Sequence, residues 1–199
     1  MPRQRKVFKK EVRGLALLST PERVRLAFEE LGPTFIKFGQ ILSSRPDLLP
    51  AEFIQEFSKL QDKVPTFPFE DDKALIEAQL GRPITGLFEY IDEQPVAVSP
   101  LSQVHRARTK AGDEVAVKVQ RQGIKDIIET DIRILHDLAT LAERHLPESR
   151  HYEPVRIVDE FARTIRRELD FVREGRNIDR FRKTLPVMRP FIFPRFIGI

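Results

Sequence analysis

Between residues 102 and 120 the apolar spacing changes from a helical period to a period of two. SQVHRART alternates apolar and polar residues, KAGD supplies turn chemistry with Gly112, and EVAVKVQ is β-branched and apolar. Two such runs joined by so short a turn pair antiparallel. LFEYID, at residues 87–92, is shorter and only partly alternating, and reads as a further strand of the same meander. Helical patterns flank this block on both sides. The order helices, antiparallel strands, helices predicts an α+β fold.

Upstream, Thr20 is the expected cap of a helix with Pro21 at its first position and Gly32 just past its end. A second helix is expected over residues 34–44, stopped by Pro46. A third starts near Pro50, with Phe53, Phe57 and Leu60 on one stripe. Residues 65–69 read as a loop. Residues 69–80 read as a fourth helix, closed by Gly81 and Pro83. Downstream, helices are expected over 125–145 and 154–183, the second with Val158, Phe161, Ile165, Leu169 and Val172 on one face. PFIFPRFIGI, at 190–199, reads as the start of an uncompleted strand pair. The expected division is a helical segment, 1–85, followed by a sheet-centred segment, 86–199.

The 199 residues are 41% hydrophobic and 32% charged, which excludes a disordered chain. Lys and Arg outnumber Asp and Glu by 34 to 30. That excess suits a phosphate ligand or an anionic membrane surface. It is too small and too interspersed for nucleic acid, and no tyrosine- or tryptophan-rich platform accompanies it. The absence of cysteine excludes a disulfide framework and thiolate metal sites, and His105, His136, His145 and His151 lack metal-ligand spacing. No apolar run approaches the roughly 18 residues of a membrane span. The basic N-terminus MPRQRKVFKKEVR lacks a signal-like apolar core, and reads either as a solvated tail or as a membrane-surface arm.

Within VAVKV, Lys118 stands among four apolar residues. Either it snorkels from an edge strand, or its ammonium holds a negatively charged partner in a cleft. The protein-kinase strand lysine, which pairs with nucleotide phosphates and a helix glutamate, is the functional form of the second reading. A loop of small residues, PVAVSPLSQVH, precedes this hairpin and has no glycine; its serine hydroxyls are able to donate to phosphate. On a regular helix Asp170, Glu174 and Asn177 fall within roughly a 60° arc, suited to a lysine or a magnesium ion, whereas Glu168 projects about 160° from Asp170 unless the helix is irregular. The alternative is a solvated face interlaced with arginines. Lys37 and Gln40 share a helix face, with Gly39 admitting close approach of a backbone or ligand.

LGPTFIKFGQILSSRPDLLP (31–50), SQVHRA (102–107), VAVKVQRQGI (115–124) and ELDFVREGRN (168–177), in that order, resemble the motifs of the UbiB family, the ABC1/ADCK-type atypical kinase-like proteins of ubiquinone biosynthesis. The resemblance runs from about residue 24 to residue 199. It implies a protein-kinase-like N-lobe, an antiparallel sheet plus helices, with an N-terminal helical extension and the C-lobe missing. Lys37, Gly39 and Gln40 then belong to the KxGQ motif, on an extension that packs over the nucleotide cleft and restricts protein-substrate access. Ala97, Val98, Ser99, Pro100, Leu101, Ser102 and Gln103 correspond to the alanine-rich loop at ATP. Lys118 is the nucleotide-coordinating lysine and Glu174 its ion-pair partner. Glu168 and Asp170 form the ExD motif, with Asp170 the candidate metal ligand.

The implied cofactors are ATP and Mg2+, bound in the complete protein. The implied partners are the nucleotide, an anionic membrane surface and quinone-biosynthesis proteins. The implied location is cytoplasmic, peripheral at the inner membrane face. Val98, Pro100 and Ser102 interrupt the family loop, Pro100 removing an N–H, and Gly175 stands where the family has alanine. No catalytic-loop aspartate, metal-binding asparagine or D-F-G aspartate follows Lys118. The chain therefore reads as an ATP-binding half-site not expected to turn over ATP alone. The alternative is a non-catalytic membrane- or protein-docking module.

Overall fold

The computed structural model describes residues 18–61 and 64–184. They fall into two compact units divided between Val64 and Pro65. The division comes before the expected 85/86 boundary because the helix at residues 69–80 buries Ile76 against Val119 of the sheet and so belongs to the second unit.

The first unit is helical. Helix α1 (Thr20–Leu31) is capped by Ser19, one residue before the expected Thr20. Ser19 Oγ accepts from the Glu22 N–H at 3.4 Å, and Glu22 Oε2 accepts from the Ser19 N–H at 2.7 Å. This capping box satisfies two otherwise orphaned donors and leaves Pro21 in the first turn, where its missing N–H does no harm. Gly32, at φ 99°, turns the chain into α2 (Pro33–Leu42), in a backbone conformation few other residues adopt. Helix α3 (Ala51–Ser58) runs on into a 3-10 turn (Lys59–Gln61). The core is aromatic: the Phe28 ring lies 5.2 Å from Phe57 and 6.0 Å from Phe35. Phe57 and Leu60 are buried, as their spacing predicts.

The second unit opens with α4 (Phe69–Leu80), which ends at Gly81 in the left-handed region, and a single turn, α5 (Ile84–Leu87). The strands are β1 (Phe88–Ile91), β2 (Ala97–Val98), β3 (Ser102–Thr109) and β4 (Glu114–Gln120). All pairings are antiparallel and all involve β3: β4 runs along one edge of it, and β1 and β2 share the other. The β3–β4 hairpin matches the sequence expectation residue for residue. Its turn is closed by the Thr109 N–H donating to Asp113 O at 2.9 Å, with Gly112 at φ 91°. Strand β2 was not expected; two residues are too few for alternation to register.

Directly opposed residues point to the same face of a sheet. Gln103 opposes Val119 and His105 opposes Val117, and α4 covers that face. Val104 opposes Lys118 on the other face. The chain continues through α6 (Ile124–His145), a 3-10 turn (Pro147–Tyr152), α7 (Pro154–Glu168) and α8 (Phe171–Thr184). Helix α6 buries Ile124, Ile128 and Leu135, α7 buries Val158, Phe161 and Ile165, and the two pack together.

The single helix expected over 154–183 is two helices. Asp170 Oδ1 accepts from the Arg173 N–H at 2.8 Å and caps a new helix, because a short carboxylate competes well for free N–H groups at a start. The apolar stripe ends there too: Leu169 is half-buried and Val172 exposed. Residues 190–199 and the basic N-terminal segment lie outside the described residues. Among the described residues no helix is long and apolar enough to cross a membrane.

Candidate functional site

Among the described residues β4 pairs only with β3, so Lys118 sits on an edge strand. Yet its ammonium does not merely snorkel. Lys118 Nζ donates to Glu174 Oε2 at 2.7 Å and lies 4.6 Å from the centroid of the Phe171 ring. Side-chain exposures of 36% for Lys118 and 47% for Glu174 leave the pair oriented but accessible. The helix break produces this arrangement. Restarting the helix at Phe171 brings Phe171 and Glu174 to β4, and Gln120 Nε2 donates to Leu169 O at 3.1 Å, tying the break to the same strand. A pair this exposed contributes only about 0–1 kcal/mol to stability, so its merit is orientation of charge.

On the same face Ala97 opposes Val104, and Val104 opposes Lys118, in one cross-strand row. Ala116 precedes Lys118 by two residues and shares its face. Ala97 and Ala116 are exposed and Val104 is half-buried. The result is a narrow apolar shelf that ends in an ammonium group. Val104 and Ala116 escaped the sequence reading. Their signal was the register that the 110–113 turn imposes on two alternating strands.

The turn between β2 and β3 is closed on itself. The Ser99 N–H donates to Ser102 O at 2.8 Å. Ser99 Oγ accepts from the Ser102 N–H at 3.1 Å and the Leu101 N–H at 3.3 Å, and lies 3.0 Å from Ser102 Oγ. The hydroxyls expected to donate to phosphate bond within the turn. Pro100, Leu101, Ser102 and Gln103 are buried, and Val98 opposes Gln103 on the face that α4 covers, which leaves Ala97 of this loop on the Lys118 face. Arg121 donates its backbone N–H to Leu101 O at 2.8 Å, and its guanidinium stacks 4.8 Å over the Phe67 ring. Burial pushes its pKa below the ordinary arginine range.

Glu168 ends α7 and is exposed, and Asp170 caps α8, so the break removes the angular constraint that a regular helix sets between them. Glu174 and Asn177 lie one turn apart on α8, both exposed. No group of three or more His, Asp or Glu that would hold a metal ion gathers among the described residues. Asp170 uses one oxygen for the cap and has one more to offer. That fits a magnesium ion carried by phosphates, which takes one or two protein carboxylates.

The KxGQ residues belong to the first unit. Gln40 Nε2 donates to Leu60 O at 3.0 Å, and Lys37 is half-buried. A Cβ on Gly39 would press into Leu60 and come within 2.9 Å of the Phe28 ring. The glycine admits neighbouring side chains of its own unit, where a ligand or backbone was expected.

Residues 59–197 match the model of the ABC1 atypical kinase-like domain. The chain is 46% identical over 166 residues to the probable protein kinase UbiB of Pseudomonas fluorescens, covering 83% of this chain and 31% of that protein. It is 42% identical over 180 residues to the probable protein kinase UbiB of Marinobacter nauticus, covering 90% and 33%. It thus spans about a third of the length of the curated relatives it matches. The complex of Rv3197 with erythromycin from Mycobacterium tuberculosis shares the fold, with a TM-score of 0.54 at 24% identity over 99% of this chain and 48% of that one. The family model covers more than half of the sequence, and the chain belongs to the ABC1 atypical kinase-like family.

Proposed function

We propose that this chain carries the nucleotide-binding half-site of a UbiB-type atypical kinase or ATPase that supports ubiquinone or related isoprenoid-lipid biosynthesis. The observation that carries the reading is the Lys118–Glu174 contact at 2.7 Å between groups 56 positions apart. Glu174 and the Phe171 ring hold the ammonium at the end of the Ala97–Val104–Lys118 row. The row suits a flat, weakly polar base, and the ammonium suits a phosphate as a point charge. Asp170 supplies a carboxylate oxygen to magnesium arriving with the nucleotide. The closed Ser99 turn offers few donors, so most of the phosphate recognition falls to Lys118.

The test is titration of the purified chain with Mg-ATP by calorimetry. Binding by the wild type is expected, weakened about tenfold or more in Lys118→Met and several-fold in Glu174→Gln, a loss of about 1.4 kcal/mol for the former. Equal affinity in all three would sink the reading.

The second reading, a non-catalytic docking module, draws on one observation: Ile134, Leu138 and Leu141 line one side of α6 and are exposed. It expects the chain to co-sediment with anionic vesicles as strongly after Lys118→Met as before. Nucleotide binding that vanishes in that variant, without vesicle binding, decides for the first reading.

A further inference from the structure

Asp72, Gln103 and His105 are polar side chains with essentially no exposure, and they meet behind the sheet on the face opposite Lys118. Gln103 Oε1 accepts from the Phe67 N–H at 3.0 Å, while its Nε2 donates to Phe67 O at 3.2 Å and to Asp72 Oδ2 at 2.7 Å. His105 Nε2 lies 2.9 Å from the same Asp72 oxygen, and His105 Nδ1 lies 2.8 Å from Asp92 O. A carbonyl oxygen only accepts, so Nδ1 carries a proton and donates to it. A second proton must lie between Nε2 and the carboxylate, whichever of the two holds it. The Phe69 ring packs 5.4 Å from the imidazole.

We propose that this network is a positioning device for the nucleotide face, setting the register of β3 from behind; the inference rests on the nucleotide reading above. Strand β3 carries both halves of that face, pairing with β2 through Val104–Ala97 and with β4 through Val104–Lys118. A slip of one residue would send Val104 inward and bring Gln103 and His105 outward. Apolar side chains at 103 and 105 would tolerate such a slip, since any apolar residue suits the covered face. Gln103 and His105 do not, because each has partners at one setting only, and a buried donor or acceptor left without one costs about 1–3 kcal/mol. The network grips β2 from both sides in sequence, through Asp92 before it and Gln103 after it. Burying polar groups in place of hydrocarbon adds little stability, and specifying a single arrangement is the best-attested use of doing so.

The experiment measures hydrogen exchange and Mg-ATP affinity together, in the whole chain, for wild type, Gln103→Leu, His105→Leu and His105→Gln. Glutamine at 105 reaches toward Asp72 where leucine does not. The two leucine variants are expected to speed amide exchange over residues 97–104 and weaken Mg-ATP about tenfold, with exchange in α6 and α7 unchanged. His105→Gln is expected to restore most of both. Leucine variants that match wild type in exchange and affinity would overturn the proposal. So would a uniform rise in exchange across the unit that glutamine does not rescue, since that marks a purely structural role. If the wild type binds no nucleotide, the functional reading falls, while exchange over 97–104 still decides the positioning role. Should the variants not fold, imidazole NMR of the wild type decides: the proposal expects slowly exchanging ring N–H signals from His105, and rapid exchange of both would overturn it.

Discussion

Lys118 and Gly39 are single residues whose roles the local sequence leaves open. The stretch VAVKV permits a snorkelling edge lysine or a paired one, and the structure contains elements of both: the strand is an edge among the described residues, and the ammonium is held by Glu174 and Phe171. Nothing within five residues of Lys118 announces that partner, because the pairing depends on where a helix breaks fifty residues later. Gly39 is a comparable case. Its neighbours suggest access for a ligand, and its surroundings are the Leu60 and Phe28 side chains. Gly39→Ala is expected to destabilise the first unit, because overpacking costs about 1–3 kcal/mol and exceeds the gain of about 1 kcal/mol in helix propensity. Thermal denaturation measures it; a raised midpoint would show that Leu60 and Phe28 yield freely.

Among the elements, the β3–β4 hairpin was legible to the residue, since a period of two and a glycine turn leave one solution. The α7–α8 break was not, because Asp170 is as acceptable on a helix surface as at a cap. Asp170→Ala is expected to cost about 1 kcal/mol through loss of the cap, and to weaken Mg-ATP binding by letting Phe171 and Glu174 drift from β4. Chemical denaturation and calorimetry on the same variant test the two effects, and a variant with unchanged affinity would detach the break from the site. The hairpin also carries a pH signature. The Tyr90 hydroxyl, then Arg108 and Arg106, bond to Glu114 and hold its carboxyl below the usual 4.5. A carboxyl depressed in the folded state stabilises at pH values above its ordinary pKa, and that contribution is lost as pH falls through the depressed value. The acid-side fall in the thermal midpoint is therefore expected to be shallower in Glu114→Gln than in wild type. Parallel profiles would show that the cluster does not hold together in solution.

For the molecule as a whole, the proposed site is a single open face. Lys118 and the apolar row lie on an accessible face, and among the described residues no carboxylate cluster gathers to hold metal. The chain is expected to bind Mg-ATP without hydrolysing it. A phosphate-release assay checks this, and release that exceeds buffer and disappears in Lys118→Met would overturn it. The exposed apolar residues of α6 and Lys118 stand on different elements, so the two readings are tested by separate variants.

Periodicity, turn residues and capping chemistry act within a few positions of themselves, and they determined the α+β order, the hairpin and its register, and most helix starts. The family was legible separately, through the resemblance of four ordered motifs. Three things depended on tertiary contact: the helix restart at Phe171, the packing that assigns α4 to the sheet, and the burial of Asp72 with Gln103 and His105. Each is a choice between locally equivalent conformations, and the difference in free energy between them comes from groups distant in sequence.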